Sequence, residues 1–317
     1  MPASTGRDSR LVTIDGVELR LALPDDMPVA AVASDAVKNQ LRACWLTPGG
    51  PRRDEPPLSP RILGRPGVGK TTLAFTIAKE FSKEVYIHQC TSDTRPEDLI
   101  VTPVIDSGQS IRYHASALTS AMIRGGVCIL DEGNRMSEKS WAALAPLLDA
   151  RRYVESIIAG IKIHADPGFR VCVTMNEDSS TYEIPEYILS RLQPQVRVHF
   201  PSEKEEREIL KANLPYAEDE LLDLVSGFLG RAHRHELPVA SRDGIHIVRY
   251  AQRLMEAERC AVGDALEQAT RQIVGDENAR FLDPAFEPPV QRQVSWEDAE
   301  LFLARMRGAV PGGEKGN

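Results

Sequence analysis

The chain has 317 residues, is 42% hydrophobic, and sets 38 Lys and Arg against 46 Asp and Glu for a formal net charge of -8. That balance excludes a global electrostatic footprint for nucleic acid or an acidic membrane surface and leaves only local basic patches, while the length suits about two globular domains. Cys44, Cys90, Cys128, Cys172 and Cys260 stand singly without C-x-x-C spacing, no apolar run reaches the roughly 20 residues of a bilayer span, and no basic-then-apolar leader opens the chain, so the expectation is a cytoplasmic protein with reduced, mostly buried thiols.

Residues 1–28 form an N-terminal extension in which two alternating segments flank Asp15-Gly16, a hairpin signal. Apolar residues then recur at helical spacing from Val29 to Trp45, and a Pro- and Gly-rich loop runs to Pro60. Next comes Gly64-Arg65-Pro66-Gly67-Val68-Gly69-Lys70-Thr71, which satisfies the phosphate-loop pattern G-x-x-x-x-G-K-[ST] in full. Its glycines allow backbone N–H groups to curl around phosphate oxygens, and the following helix points its positive end at the same charge. Lys70 is expected on the β- and γ-phosphates and Thr71 on Mg²⁺, with Thr72 completing the nucleotide-binding stretch. Arg61-Ile62-Leu63 supplies a strand before the loop, and residues 73–80 have helical composition after it.

Val85-Tyr86-Ile87-His88 reads as a buried strand. Between Val101 and Tyr113 the turn signal Asp106-Ser107-Gly108 predicts a hairpin inserted before a helix over 116–124, which Gly125-Gly126 closes. Val127-Cys128-Ile129-Leu130 then ends in Asp131-Glu132. Strand alternation turns these two acids apart, one toward a metal and the other toward an attacking water. Taken alone, a strand ending in acids reads equally well as solvated; the phosphate loop upstream gives the pair its meaning. A helix over 137–149 carries Trp141, Leu144, Leu147 and Leu148 on one side, and a second hairpin turns at Ala159-Gly160. The run 169–175 is a strand ending at Asn176, placed to reach the γ-phosphate or the water if it neighbours the Asp131 strand; otherwise it is a turn asparagine. Val196 to Pro201 makes the last core strand.

This alternation of strands and helices predicts an α/β fold: a P-loop NTPase parallel sheet sandwiched by helices over 29–201, followed by a small all-helical lid domain over 202–275 and a tail over 276–317. The lid helices are expected at 205–212, 218–231, 244–260 and 263–274, and a last helix at 296–306. His233 and His235 lack a third ligand and a shared helical face, and are expected on the solvated lid surface.

In order and spacing these features resemble the AAA+ ATPases over about residues 29–270, and within them the MoxR-like group, in the branch carrying a hairpin in helix two and another before sensor 1. The residues that carry the resemblance are 64–71, 125–135, 174–186 and Ser190-Arg191-Leu192. The resemblance implies that Asp131 and Glu132 are the Walker B pair, Asn176 is sensor 1, Arg191 is an arginine finger offered to a neighbouring subunit, and Arg242 is the sensor 2 residue of the lid. The alternative for Arg191 is a surface arginine near a helix end, and for Arg242 a surface or capping residue. Gly133 departs from the pattern, which usually has an apolar residue there.

The resemblance further implies ATP and Mg²⁺ as cofactors, a homo-oligomeric ring of six subunits, and remodelling or metal or cofactor insertion in a client enzyme, together with a von Willebrand factor A domain protein. The alternative is a nucleic-acid-directed motor or restriction-type NTPase subunit, some of whose relatives prefer GTP; acidity argues against it. A third reading, a non-catalytic nucleotide-gated scaffold, is disfavoured by the intact Lys70, Thr71, Asp131 and Glu132.

Overall fold

Asp15 and Gly16 both take positive φ, at 48° and 83°, and close β1 (Leu11–Ile14) and β2 (Val17–Arg20) as an antiparallel hairpin. The computed structural model describes residues 10–28, 31–46, 55–105, 109–177 and 183–288. Helical spacing from Val29 overstates α1 (Asp35–Trp45), which starts behind Ser34 in extended backbone, with Asp35 in its first turn at the positive helix end.

The core alternates as expected: β3 (Arg61–Gly64), α2 (Lys70–Phe81), β4 (Val85–Gln89), the short α3 (Pro96–Leu99), then β5 (Val101–Ile105) and β6 (Ile111–Ala115), α4 (Ala117–Arg124) and β7 (Val127–Asp131). It continues with α5 (Glu138–Leu144), β8 (Tyr153–Ser156), β9 (Ile161–His164), β10 (Arg170–Asn176), α6 (Glu186–Leu189) and β11 (Gln195–Arg197). Five strands pair in parallel in the order β11-β3-β10-β7-β4, so β3 and β7 flank β10 and their carboxyl ends converge. Strand β7 is buried on both faces. Val127 and Ile129 pack with Leu73, Ile77 and Trp45 from α2 and α1, while Cys128 and Leu130 pack with Leu118, Trp141 and Leu144 on the other side. Burying such side chains stabilises the fold by about 1.5–3 kcal/mol each.

The N-terminal hairpin is not isolated. Strand β2 pairs in parallel with β6, and the two hairpins make one four-stranded sheet, β1-β2-β6-β5. The segment after β2 then runs back to the main sheet, where Asp25 N–H donates to Val85 O at 2.8 Å and Asp25 Oδ2 accepts from Ile87 N–H at 2.7 Å.

Two lengths are corrected. The helix expected over 137–149 ends at Leu144, because Pro146 has no N–H to continue it; Leu147 and Leu148 are still buried, but from turns. Strand β11 stops at Arg197, short of Pro201. The helical region has α7 (Glu203–Asn213), α8 (Asp219–Arg234), α9 (Ser241–Glu258) and α10 (Val262–Ala279), the last broken where Gly275 takes φ 81°. Among the described residues, 10–282 belong to one unit and 283–288 to another. Residues 47–54 of the loop expected to run to Pro60, the Asp106–Gly108 turn and the 296–306 helix lie outside the described residues, while residues 55–60 form no helix or strand.

Candidate functional site

The phosphate loop closes where β3 meets α2. Gly67 and Gly69 take φ of 80° and 87°, the left-handed region that a side chain resists, and a Cβ on Gly67 would stand 2.8 Å from Ala240 Cβ. Lys70 is buried, and its Nζ donates to Gly64 O at 2.9 Å, Arg65 O at 2.8 Å and Asn176 Oδ1 at 2.7 Å. Burial pulls its pKa down to about 8, against the pull of Asp131 and Glu132.

Register brings Asn176 beside Gly64, and β7 lies on the other side of β10, so the condition placed on Asn176 is met. Its amide joins two groups: Oδ1 accepts from Lys70 and Nδ2 donates to Glu132 Oε1 at 2.9 Å. Thr71 Oγ1 donates to Asp131 Oδ1 at 2.5 Å, and Thr174 Oγ1 donates to the same oxygen while accepting from Glu132 N–H at 3.0 Å. Thr71 and Asp131 thus offer adjacent hard oxygen donors, a set that suits Mg²⁺. The two acids do separate, but for a different reason from the one expected. Glu132 leaves the strand in the left-handed region at φ 55°, so a backbone turn and not strand alternation aims it. A non-glycine residue held there stores roughly 1–2 kcal/mol.

Gly133 explains itself sterically. A Cβ at this position would overlap Val173 Cγ1 and press on Trp141 at 3.2 Å, so buried Trp141 fills the space that an apolar residue would take.

Beside the loop lies a cavity of about 390 Å³, lined by Gly67 to Gly69 and Thr72, by apolar Val37, Ile209 and Ile245, and by Arg242 at the start of α9. Its size and apolar walls suit a nucleoside. Arg65 turns away from the loop: its Nη1 donates to Glu236 O at 2.9 Å and its guanidinium lies over Phe200 at 5.4 Å. His233 is not solvated lid surface. Its side chain is 7% exposed and stacks on Phe200 with centroids 4.0 Å apart, because α8 turns that edge toward the segment joining β11 to α7. Close by, fully buried Glu206 accepts from Ser241 Oγ at 2.8 Å, and burial raises its pKa to about 7.

Five of the expected residues, Lys70, Thr71, Asp131, Glu132 and Asn176, are therefore one bonded cluster, and Arg242 shares the cavity beside it. Arg191 stands apart, its Nε 3.4 Å from Asp149 Oδ2 and its Nη1 donating to Tyr187 O. Sequence reasoning missed the supports. Gln89 Nε2 donates to Glu132 Oε2 at 3.2 Å, Arg135 Nε lies 2.7 Å from the same oxygen, and Asn134 bonds the Asn176 backbone. Polar residues within three positions of the acidic pair were the available signal for Asn134 and Arg135; Gln89 had none beyond ending a strand.

A family model described as an AAA domain of the dynein-related subfamily matches residues 61–192, from the start of β3 to just past Arg191. The chain is 29% identical over 139 residues to Protein NorQ of Paracoccus denitrificans, covering 44% of this chain and 49% of that one. It is 30% identical over 154 residues to the denitrification regulatory protein NirQ of Stutzerimonas stutzeri, covering 46% and 54%. The matched region thus spans about half the length of these curated relatives. The solved structure of the Thermotoga maritima RuvB Holliday junction branch migration motor is similar in fold, with a TM-score of 0.53 at 17% identity over 78% of this chain and 72% of that one. With the phosphate loop, the acidic strand end and the parallel sheet in one arrangement, residues 61–192 form an AAA domain.

Proposed function

We propose that the chain hydrolyses ATP at the subunit interfaces of a homo-oligomeric ring, six-membered by resemblance, and uses turnover to remodel a client protein. The observation that carries this reading is the Asn176 amide bridging Lys70 and Glu132, which ties the phosphate-binding cation to the carboxylate that would take a proton from water. Thr71 and Asp131 would hold Mg²⁺, which when bound neutralises phosphate charge. Lys70 would exchange its carbonyl partners for phosphate oxygens. Glu132, held at one oxygen by Asn176 and at the other by Gln89 and Arg135, would be oriented toward the water. Arg242 would meet the nucleotide from the lid. Arg191, partnered by Asp149 away from its own loop, would serve a neighbour's site.

The client is expected to be an enzyme, matured or loaded with a metal or cofactor together with a von Willebrand factor A domain protein. Support comes from the resemblance and from the description of NirQ as a denitrification regulatory protein. Both inserted hairpins expose apolar tips, Ile105 and Ile111 on one and Ile157 and Ile158 on the other, which suits contact with a protein client. Five free cysteines fit a reducing, cytoplasmic compartment, and no helix among the described residues is long and apolar enough to cross a membrane.

Steady-state hydrolysis tests the reading. Glu132→Gln should bind ATP and turn it over at least about 100-fold more slowly, while Arg191→Ala should keep ATP affinity, lose turnover and regain some of it when mixed with Glu132→Gln subunits. Normal turnover by Glu132→Gln would remove Glu132 from its role, and hybrids that form without rescue would remove Arg191. Absence of turnover by the unaltered chain in any oligomeric condition would leave only a scaffold.

A further inference from the structure

Helix α9 has two opposed sides. Gly244, Ile247, Val248, Ala251 and Leu254 are buried among the other helices. Arg242, His246, Arg249, Tyr250 and Arg253, spaced at helical intervals, share the other side. The stripe begins in the nucleotide cavity, which Arg242 lines, and runs about 16 Å at 1.5 Å per residue. It ends in a shallow depression where His246, Arg249, Tyr250 and Arg253 meet Ile273 of α10. No acid lies among them.

Several other arginines of this acidic chain hold carboxylates: Arg42 holds Glu80, Arg151 holds Asp149, Arg197 holds Glu177 and Arg271 holds Glu267. His246, Arg249 and Arg253 have no such partner among the described residues. Arg249 and Arg253 stand four apart on one helix, where like charges oppose helix formation. A partially exposed, unneutralised stripe with an aromatic ring beside it is built to meet an anionic surface.

We propose that this stripe docks against the acidic edge around Glu183 and Glu186 of a second copy of the chain. The proposal rests on the intersubunit reading above, and it follows from two placements. If a neighbour's Arg191 reaches phosphates bound beside Arg242, the residues flanking Arg191 come to lie beside the helix that carries Arg242. On that flank Glu186 opens α6, and both Glu183 and Glu186 are exposed without a cation partner among the described residues. Stripe and acidic edge are different patches of one chain, so the contact is head-to-tail, the type that closes rings. Nucleic acid is the competing polyanion. The net charge of -8 opposes its long-range approach, whereas a contact between copies needs complementarity only where the patches meet.

Charge reversal tests this without touching the phosphate cluster. Sedimentation of the full chain with ATP should show assembly that weakens as NaCl rises. Arg249→Glu with Arg253→Glu should weaken assembly by about tenfold or more while each protomer keeps ATP affinity, and Glu183→Arg with Glu186→Arg should do the same. Mixing the two charge-reversed proteins should restore assembly at hybrid interfaces. Assembly of either variant at the unaltered strength would overturn the proposal, as would a mixture that stays dissociated while both proteins are folded and bind nucleotide. A stripe variant that loses binding to a single-stranded oligonucleotide and assembles normally would assign the stripe to nucleic acid instead. If the unaltered chain never assembles under any nucleotide condition, the intersubunit reading fails with it; if it assembles and hydrolyses ATP but the swaps have no effect, only the stripe assignment falls.

Discussion

Asn134 closes on the backbone of Asn176 from both sides, its Nδ2 donating to Asn176 O at 2.8 Å and its Oδ1 accepting from Asn176 N–H at 3.4 Å. The clamp fixes the end of β10, and with it the side-chain amide that touches Lys70 and Glu132. Asn134 therefore acts through Asn176.

Asn134→Ala should lower kcat by roughly tenfold or more, the effect of losing about 1–2 kcal/mol of orientation, while ATP affinity changes little. Calorimetric titration with ATP alongside turnover separates the two quantities. An equal loss in both would mean that Asn134 supports the whole loop and not the placement of Asn176.

Gly133→Ala places a methyl group into Val173 Cγ1. Overpacking of this kind destabilises by about 1–3 kcal/mol, and adding Val173→Ala should return part of the loss. Denaturant unfolding of the single and double variants checks this; no gain from the second substitution would put the strain elsewhere, in the turn that aims Glu132.

Glu206 makes stability depend on pH. Burial raises its pKa from 4.5 to about 7 in the folded chain, so its contribution is fully present below pH 4.5 and is lost as pH rises through 7. His233 Nε2 lies 3.8 Å away with its pKa lowered by burial, and its contribution runs in the opposite sense. The difference between the unaltered chain and Glu206→Gln isolates the carboxyl group. The variant should gain relative stability between pH 5 and pH 8, by up to about 3 kcal/mol, with ATP turnover retained because glutamine still accepts from Ser241. A flat difference across that range would show that Glu206 stays ionised.

Lys70 carries the reverse sign. Its pKa is lowered from 10.5 to about 8, so the unfolded chain binds the extra proton between those values and stability rises there with pH. Lys70→Met should lose nucleotide binding and should also lose this rise. Unfolding at pH 8 and pH 10 without nucleotide measures it, and an unchanged slope would contradict the burial argument.

The residues that touch phosphate were legible because their chemistry forces a local pattern: Gly64 to Thr71 is contiguous, and Asp131-Glu132 ends an apolar run. Asn176 needed one tertiary fact, the adjacency of β10 to β7, which the sequence left as a condition and the sheet order supplies. What could not be read depends on shape across distant segments. Trp141 dictates Gly133 from within α5, Pro146 shortens that helix against its apolar spacing, and His233 loses its solvent only because Phe200 stacks on it. Gln89, Asn134 and Arg135 carry no motif of their own, since their role is set by where Glu132 turns.

The pairing of β2 with β6 binds the N-terminal hairpin, Leu11–Arg20, to the β5–β6 hairpin. Deleting Leu11–Arg20 would strip β6 of a neighbour along its backbone and expose an unprotected edge beside Ile111, an invitation to strand-to-strand aggregation. The β5–β6 hairpin cannot shift without the N-terminal hairpin paired to it, and the Asp25 bonds to β4 tether that hairpin to the main sheet. Residues 11–25 thus tie the β5–β6 hairpin to the main sheet through two separate sets of hydrogen bonds.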